Sequence, residues 1–311
     1  NINVSRMQAY KLDAFQVVAD AKVTLGKLHG LLEGYESEFG TTIRELKDEW
    51  LAERERLSKV TFKREAFDPE IKNHFSQEVL NEYADALNTE LPQTTALLTI
   101  NETIPEDSVI ICSAGSLPGD LQRLWHSNVP NTYHLEYGYS CMGYEVSGTL
   151  GLKLAHPDRE VYSIVGDGSF LMLHSELITA IQYNKKINVL LFDNSGFGCI
   201  NNLQMDHGSG SYYCEFRTDD NQILNVDYAK VAEGYGAKTY RANTVEELKA
   251  ALEDAKKQDV STLIEMKVLP KTMTDGYDSW WHVGVAEVSE QESVQKAYEA
   301  KEKKLESAKQ Y

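Results

Sequence analysis

The chain has 311 residues, 42% hydrophobic and 25% charged, the proportions of an ordinary globular protein with apolar matter for one or two cores. A count of 31 Lys and Arg against 48 Asp and Glu leaves a net charge of −17, which argues against a nucleic-acid or anionic-membrane partner, because both need a basic face. Cys112, Cys141, Cys199 and Cys214 show neither CxxC spacing nor a dense framework, so reduced thiols in a cytoplasmic protein are expected.

The first residues, Asn1-Ile2-Asn3-Val4, carry no initiator Met, basic region or long apolar stretch. They do not read as a signal peptide, and no apolar run approaches the ~20 residues of a membrane span. The expectation is a chain entered partway through a domain, as in a fragment or a processed product. Residues 1 to about 34 read as a short strand and then a helix, with Val23, Leu25, Leu28, Leu31 and Leu32 on an apolar stripe. Residues 41–66 are crowded with charge, as in Arg44-Glu45-Leu46-Lys47-Asp48-Glu49, and read as a solvated helix and connector. A helix carrying Val79, Leu80, Tyr83 and Leu87 opens the main domain from about residue 74.

That domain alternates strand and helix. Strands are predicted at 108–112, 132–135, 161–165, 187–193, 237–241 and 261–267, and helices at 118–126, 143–155, 174–184, 227–235 and 244–257. The alternation predicts an α/β fold with a doubly wound, mostly parallel sheet. The polar stretch 204–226 lacks a clean period and reads as a loop near the ligand. After Pro270 come Trp280 and Trp281, which close a lid, meet a neighbouring subunit or simply pack in a core, and then a Lys/Glu-rich helix at about 289–309. The resulting division is 1–40 as the end of a preceding α/β domain, 41–73 as a charged helical linker, 74–270 as the main domain and 271–311 as a tail and helix.

The chemistry concentrates in two segments. Gly166-Asp167-Gly168-Ser169 follows the apolar run Val161–Val165, and Asp193-Asn194-Ser195-Gly196-Phe197-Gly198 follows Ile187–Phe192. Leu177, Ile178 and Ile181 recur between them at helical spacing, which makes a strand–helix–strand unit with an oxygen ligand at the carboxyl end of each strand. Open parallel sheets bind ligands at that edge. Glycines there admit close backbone approach, and helix N-termini favour phosphate charge. A carboxylate with an amide oxygen is hard-oxygen chemistry suited to Mg²⁺ bridging to a diphosphate. Asp167 alone would read as a helix cap; Asn194, 27 positions on, and the flanking glycines favour the metal.

This pair of segments resembles the motif of the thiamine diphosphate (ThDP) enzyme family, with Asp193 standing where the family has the first Asn of a doublet. Two further segments fall in the family order. Ser140-Cys141-Met142-Gly143-Tyr144 resembles the segment whose apolar residue wedges ThDP into its bent shape, and Ser113-Ala114-Gly115-Ser116-Leu117-Pro118 resembles the first loop touching the diphosphate. The resemblance implies Mg²⁺ held by Asp167, Asn194 and the Gly196 carbonyl. It implies phosphate contacts from the backbone around Gly115, Ser116, Leu117, Gly166, Gly168, Ser169, Phe197 and Gly198. Met142 would be the wedge, and the Ser140 carbonyl would accept a hydrogen bond from the aminopyrimidine. Read alone, Met142 is equally an ordinary core methionine.

Within that family, the segments His134–Glu145, Phe192–Met205 and Trp280–Ser289 resemble members that hydrolyse a carbon–carbon bond of a cyclic polyhydroxy dione in inositol catabolism. A second reading keeps the cofactor but makes the reaction a 2-oxo-acid decarboxylation or an acetohydroxyacid-synthase-like carboligation. A third is a non-catalytic diphosphate-binding module. The resemblance covers the carboxyl half of such an enzyme and implies a homodimer or homotetramer with its site shared between subunits. The activating Glu would lie in an amino-terminal pyrimidine-binding domain that no segment here resembles, so this chain alone is expected to turn over little. Residues 1–34 resemble the end of the family's middle domain. His134, His174, His207 and His282 are candidate acids or bases, although a lone His is more often structural or exposed.

Overall fold

The computed structural model describes residues 6–11, 13–136, 138–277 and 282–308. Two compact units result, Asn1–Ala52 with Tyr298–Tyr311, and Glu53–Ala297. The second unit holds a six-stranded, fully parallel sheet of β1 (Val109–Cys112), β2 (Tyr133–Leu135), β3 (Val161–Gly166), β4 (Asn188–Asp193), β5 (Lys238–Ala242) and β6 (Thr262–Lys267), in the order β2-β1-β3-β4-β6-β5. Each predicted strand is present to within a residue or so at either end. The central strands are apolar runs buried on both faces, as parallel strands covered by helices must be. The edge strands β2 and β5 are partly exposed.

Helices cover both faces. Val161, Val165, Val189, Leu191 and Leu263 pack with Val146, Leu177 and Ala229 in one core cluster. Those side chains come from α7 (Tyr144–Ala155), α9 (Glu176–Gln182) and α11 (Tyr228–Gly234). The alternate residues Ile110, Ile164, Leu190 and Ile264 are also fully buried, as the two-residue strand period requires. Truncating one of them, Leu190→Ala for example, would cost about 2–5 kcal/mol. Near this sheet lie α4 (Gln77–Leu87), α5 (Gln93–Thr103), α6 (Leu117–Leu124) and α12 (Val245–Ala255). The strand order changes direction at β1: β2 lies on one side of it and β3 on the other. The crevice that such a switch opens at the carboxyl ends of neighbouring strands is the usual ligand position.

Four elements depart from the sequence expectations. Ahead of α2 lies an unforeseen short helix, α1 (Arg6–Lys11), and of the expected short strand only a single bridge at Val17 is described. Gly166-Asp167-Gly168-Ser169 runs directly into a short helix, α8 (Asp167–Met172), and α10 (Gly198–Asp206) occupies the start of the expected 204–226 loop. Glycine weakens helices, so neither was legible from propensity. α5 was not foreseen because its residues Gln93–Ile100 are buried on every face, polar ones included, which removes the amphipathic signal.

In the first unit, Asp20 caps α2 (Ala21–Leu31) by accepting the Val23 N–H at 2.9 Å. The expected stripe is present, but Val23, Leu25, Leu28, Leu31 and Leu32 are all exposed. The charged stretch forms α3 (Gly40–Ser58), and the last helix is α13 (Glu292–Glu306). Trp280 and Trp281 lie outside the described residues. Among those residues no helix is long and apolar enough to cross a membrane.

Candidate functional site

A cavity of about 390 Å³ lies at the carboxyl ends of β1, β3 and β4. It is lined by Gly115, Ser116 and Leu117 after β1, and by Ser140 and Met142 before α7. Gly166, Asp167, Gly168 and Ser169 line it after β3, and Asn194, Gly196, Phe197 and Gly198 after β4. Every cofactor and metal residue expected from the sequence therefore meets in one place. Met142 is 40% exposed and is no core methionine.

Asp167 is buried, and its Oδ2 accepts the Gly196 N–H at 2.8 Å. Burial and the neighbouring Asp193 push its carboxyl well above the usual carboxylate range, with the Gly196 N–H offsetting part of the rise. Asp193, the departure from the family doublet, is neutralised within the protein. Its Oδ1 accepts the Ser195 N–H at 2.9 Å and its Oδ2 accepts from Lys267 Nζ. Lys267 also pairs with Glu265 at 2.8 Å. Burial alone would lower the Lys267 ammonium, but Asp193 and Glu265 hold it above its ordinary value. Glu265 in turn accepts the N–H groups of Tyr228 and Ala229 at the start of α11.

The loop after β4 is held in an unusual form. Ser195 has φ +56°, and its hydroxyl reaches the Leu224 carbonyl at 2.8 Å. Left-handed backbone at a non-glycine residue is costly and persists only where its surroundings fix it. Three glycines are dictated by packing. A Cβ on Gly168 would meet the Phe197 ring at 2.5 Å, one on Gly196 would collide with the Cys214 carbonyl, and one on Gly198 would lie 2.8 Å from Asn194 Nδ2.

Four helices begin at this cavity, α6, α7, α8 and α10, and none has a side-chain cap. Elsewhere in the same unit, α4, α11 and α12 are capped by Ser76, Asp227 and Thr244, while α5 and α9 also lack a side-chain cap. Uncapped first turns leave N–H groups for an anion. Among the described residues nothing donates to the Ser140 carbonyl, and the Asn194 side chain makes no hydrogen bond. No cluster of three His, Cys, Asp or Glu suited to a metal occurs among them, so a cation here would rest on one carboxylate, one amide and a carbonyl. That donor set, with diphosphate oxygens completing it, suits Mg²⁺; ThDP with Mg²⁺ fits the residues present.

The histidines are not brought to the cavity. His134 is exposed on β2, and His282 is exposed in the tail. His174 stacks between Phe170 and Tyr235, with Nδ1 3.0 Å from the Tyr235 hydroxyl, and burial lowers its pKa. His207 ends α10 with Nδ1 2.7 Å from the Leu203 carbonyl.

Sequence reasoning missed Gln93, Cys199, Ile200 and Leu203 in the lining. Gln93 Nε2 donates to Ser116 Oγ at 3.0 Å and to Asp120 Oδ2 at 2.7 Å. Asp120 is buried, and burial pushes its carboxyl up to about 6. Behind the cavity, buried Lys271 donates to Asn202 Oδ1 at 2.7 Å and to Asn201, both on α10, and burial lowers it to about 8. Cys199, Ile200 and Leu203 come together from α10, while nothing in the spacing of Gln93, Asp120 and Lys271 marks them, because each reaches the site from a separate element.

Residues 113–266 match the family described as thiamine pyrophosphate enzyme, C-terminal TPP binding domain. Residues 113–266 therefore form a domain of this family, thiamine pyrophosphate being ThDP under another name. Among curated relatives, it is 93% identical over its whole length to a Bacillus licheniformis protein named 3D-(3,5/4)-trihydroxycyclohexane-1,2-dione hydrolase. Identically named proteins of Bacillus velezensis and Listeria monocytogenes are 91% and 68% identical over the same whole chain. In each case the match covers 49% of the relative, so the chain spans about half the length of the curated relatives it matches. A thiamine diphosphate-dependent 4-hydroxybenzoylformate decarboxylase of Rhodococcus jostii superposes with a TM-score of 0.52 at 22% identity, covering 59% of this chain and 33% of that one. A benzoylformate decarboxylase of Polynucleobacter necessarius gives 0.50 at 20%, covering 58% and 33%. At such identities the likeness speaks for the fold alone.

Proposed function

We propose that this chain is the diphosphate-binding part of a ThDP- and Mg²⁺-dependent hydrolase that opens a carbon–carbon bond of a cyclic polyhydroxy 1,2-dione. The product would be an open-chain deoxy-glucuronic acid, in inositol catabolism in the cytoplasm. The observation that carries the reading is the convergence of Asp167, Asn194, Gly196, Ser140 and Met142 on one cavity. The substrate rests on the names of relatives at 68–93% identity.

In this reading Asp167, Asn194 and the Gly196 carbonyl hold Mg²⁺, and backbone N–H groups of Gly168, Ser169, Phe197 and Gly198 face the diphosphate. Gly115, Ser116 and Leu117 close the other side. Bound ThDP supplies the electron sink for breaking a bond beside a carbonyl. Met142 shapes the ring end of the cavity, and the Ser140 carbonyl orients the aminopyrimidine. None of the four candidate histidines lines the cavity; the family resemblance implies an activating Glu from the pyrimidine-binding domain of the complete protein, contributed across a homodimer or homotetramer.

The experiment is product analysis with the complete protein, ThDP and Mg²⁺, offering the inositol-derived dione and pyruvate in parallel. Ring-opened acid from the dione alone is expected. Carbon dioxide or acetolactate from pyruvate would move the assignment to a decarboxylase or carboligase, and turnover of neither would favour a non-catalytic module.

A further inference from the structure

Ser140 and Met142 sit on a short irregular segment between β2 and α7, where loops are ordinarily mobile. This one is held by two carboxylates. Glu136 accepts the Tyr139 N–H at Oε1 and the Cys141 N–H at Oε2, each at 3.0 Å. Glu145, fully buried at the start of α7, accepts the Gly143 N–H at 3.1 Å and the Ser169 hydroxyl at 2.8 Å through Oε2. Its Oε1 accepts the Ala114 N–H at 3.1 Å. The Ser113 hydroxyl ties the remaining corner, 2.8 Å from the Cys141 carbonyl and 3.2 Å from Glu136 Oε2. The N–H groups of residues 139, 141 and 143 are thus all spent on carboxylates. Ser140, between two of them, takes φ +52°, and no described residue donates to its carbonyl.

We propose that Glu136 and Glu145 are positioning residues that fix the Ser140–Met142 segment against the Ser113–Ala114 and Ser169 loops before any cofactor arrives. Its consequence for ThDP rests on the cofactor reading above; its geometry does not. Every group facing these side chains is a donor, so an acceptor-only carboxylate is required. A glutamine at 145 can offer its oxygen to Gly143 and Ser169 or to Ala114, not to both.

Charge sharpens the point. Two anionic side chains beside a diphosphate cavity repel the ligand, so removing either charge would by electrostatics alone tighten ThDP binding. Loss of positioning acts with the opposite sign.

The test compares Glu136→Gln and Glu145→Gln with wild type in the complete protein. Amide hydrogen exchange of residues 138–143 is measured without cofactor, and ThDP affinity with Mg²⁺. Each variant is expected to exchange about tenfold faster in that segment and to bind ThDP about tenfold more weakly, the scale of one hydrogen bond to a charged group. Ser169→Ala, which removes one donor from Glu145, serves if Glu145→Gln does not fold, and should show the same directions with smaller changes. Unchanged exchange, or unchanged or tighter ThDP binding, overturns the proposal. A wild-type protein that binds no ThDP defeats the cofactor reading instead, and the exchange measurement still decides the role of the two carboxylates.

Discussion

The carboxyl ends of β3 and β4 lie side by side, and each presents a buried aspartate. Asp193 on β4 is matched by Lys267 from the next strand, with Glu265 on the far side of the ammonium. Asp167 after β3 has the Gly196 N–H and no cation among the described residues. A buried carboxylate is tolerated when paired and costly when not. Asp193 belongs to the scaffold, and its partner is built in. Asp167 lines the cavity beside Asn194, whose side chain makes no hydrogen bond among the described residues; the proposed function makes Asp167 the group that receives a cation from outside. On the proposed reading, this difference would let Asp193 stand next to the cation site without becoming a second metal ligand.

The largest effect should come from breaking the compensated side. Lys267→Met leaves Asp193 and Glu265 as two uncompensated buried carboxylates, and a loss of about 3–5 kcal/mol is expected in urea unfolding. A loss below about 1 kcal/mol would mean that the pair is not what sets Asp193 apart.

Asp120 is a third buried carboxylate near the cavity, met by Gln93 and Thr274. Its folded pKa of about 6 lies above the ordinary 3.8. The folded state therefore holds its proton more tightly, and this contribution is complete below the unfolded value and lost as pH rises through about 6. Stability measured between pH 4 and 6.5 should fall by roughly 2–3 kcal/mol from this group, and Asp120→Asn should flatten that slope.

The smallest effect sharpens the cavity side. Gly168→Ala forces a methyl against the Phe197 ring and should cost about 1–2 kcal/mol by overpacking, read as a lowered Tm. On the proposed reading ThDP affinity should fall with it, because Phe197 lines the cavity and precedes α10.

The sheet was legible because β1, β3 and β4 are apolar runs bounded by polar turns and helical patterns alternate with the strands, and the loops lining the cavity because glycine and Asp or Asn follow β3 and β4 directly. The supports of the site were not. Glu145 reads as an ordinary first-turn acid of α7, Gln93 lies far from every motif, and Lys267 ends a strand as surface lysines often do. Their roles depend on which elements become neighbours in space, and periodicity carries no such information. The histidines failed for the converse reason: their chemistry is visible in sequence, but none was delivered to the cavity.

The most direct test of the account is calorimetric titration of ThDP into the complete protein with and without Mg²⁺, repeated on Asp167→Ala. Binding that requires Mg²⁺ and weakens at least 100-fold in the variant, about 2.7 kcal/mol, is the predicted result. Equal affinity with and without the metal, or a variant that binds like wild type, would contradict the assignment of Asp167 as the cation-awaiting partner of the pair.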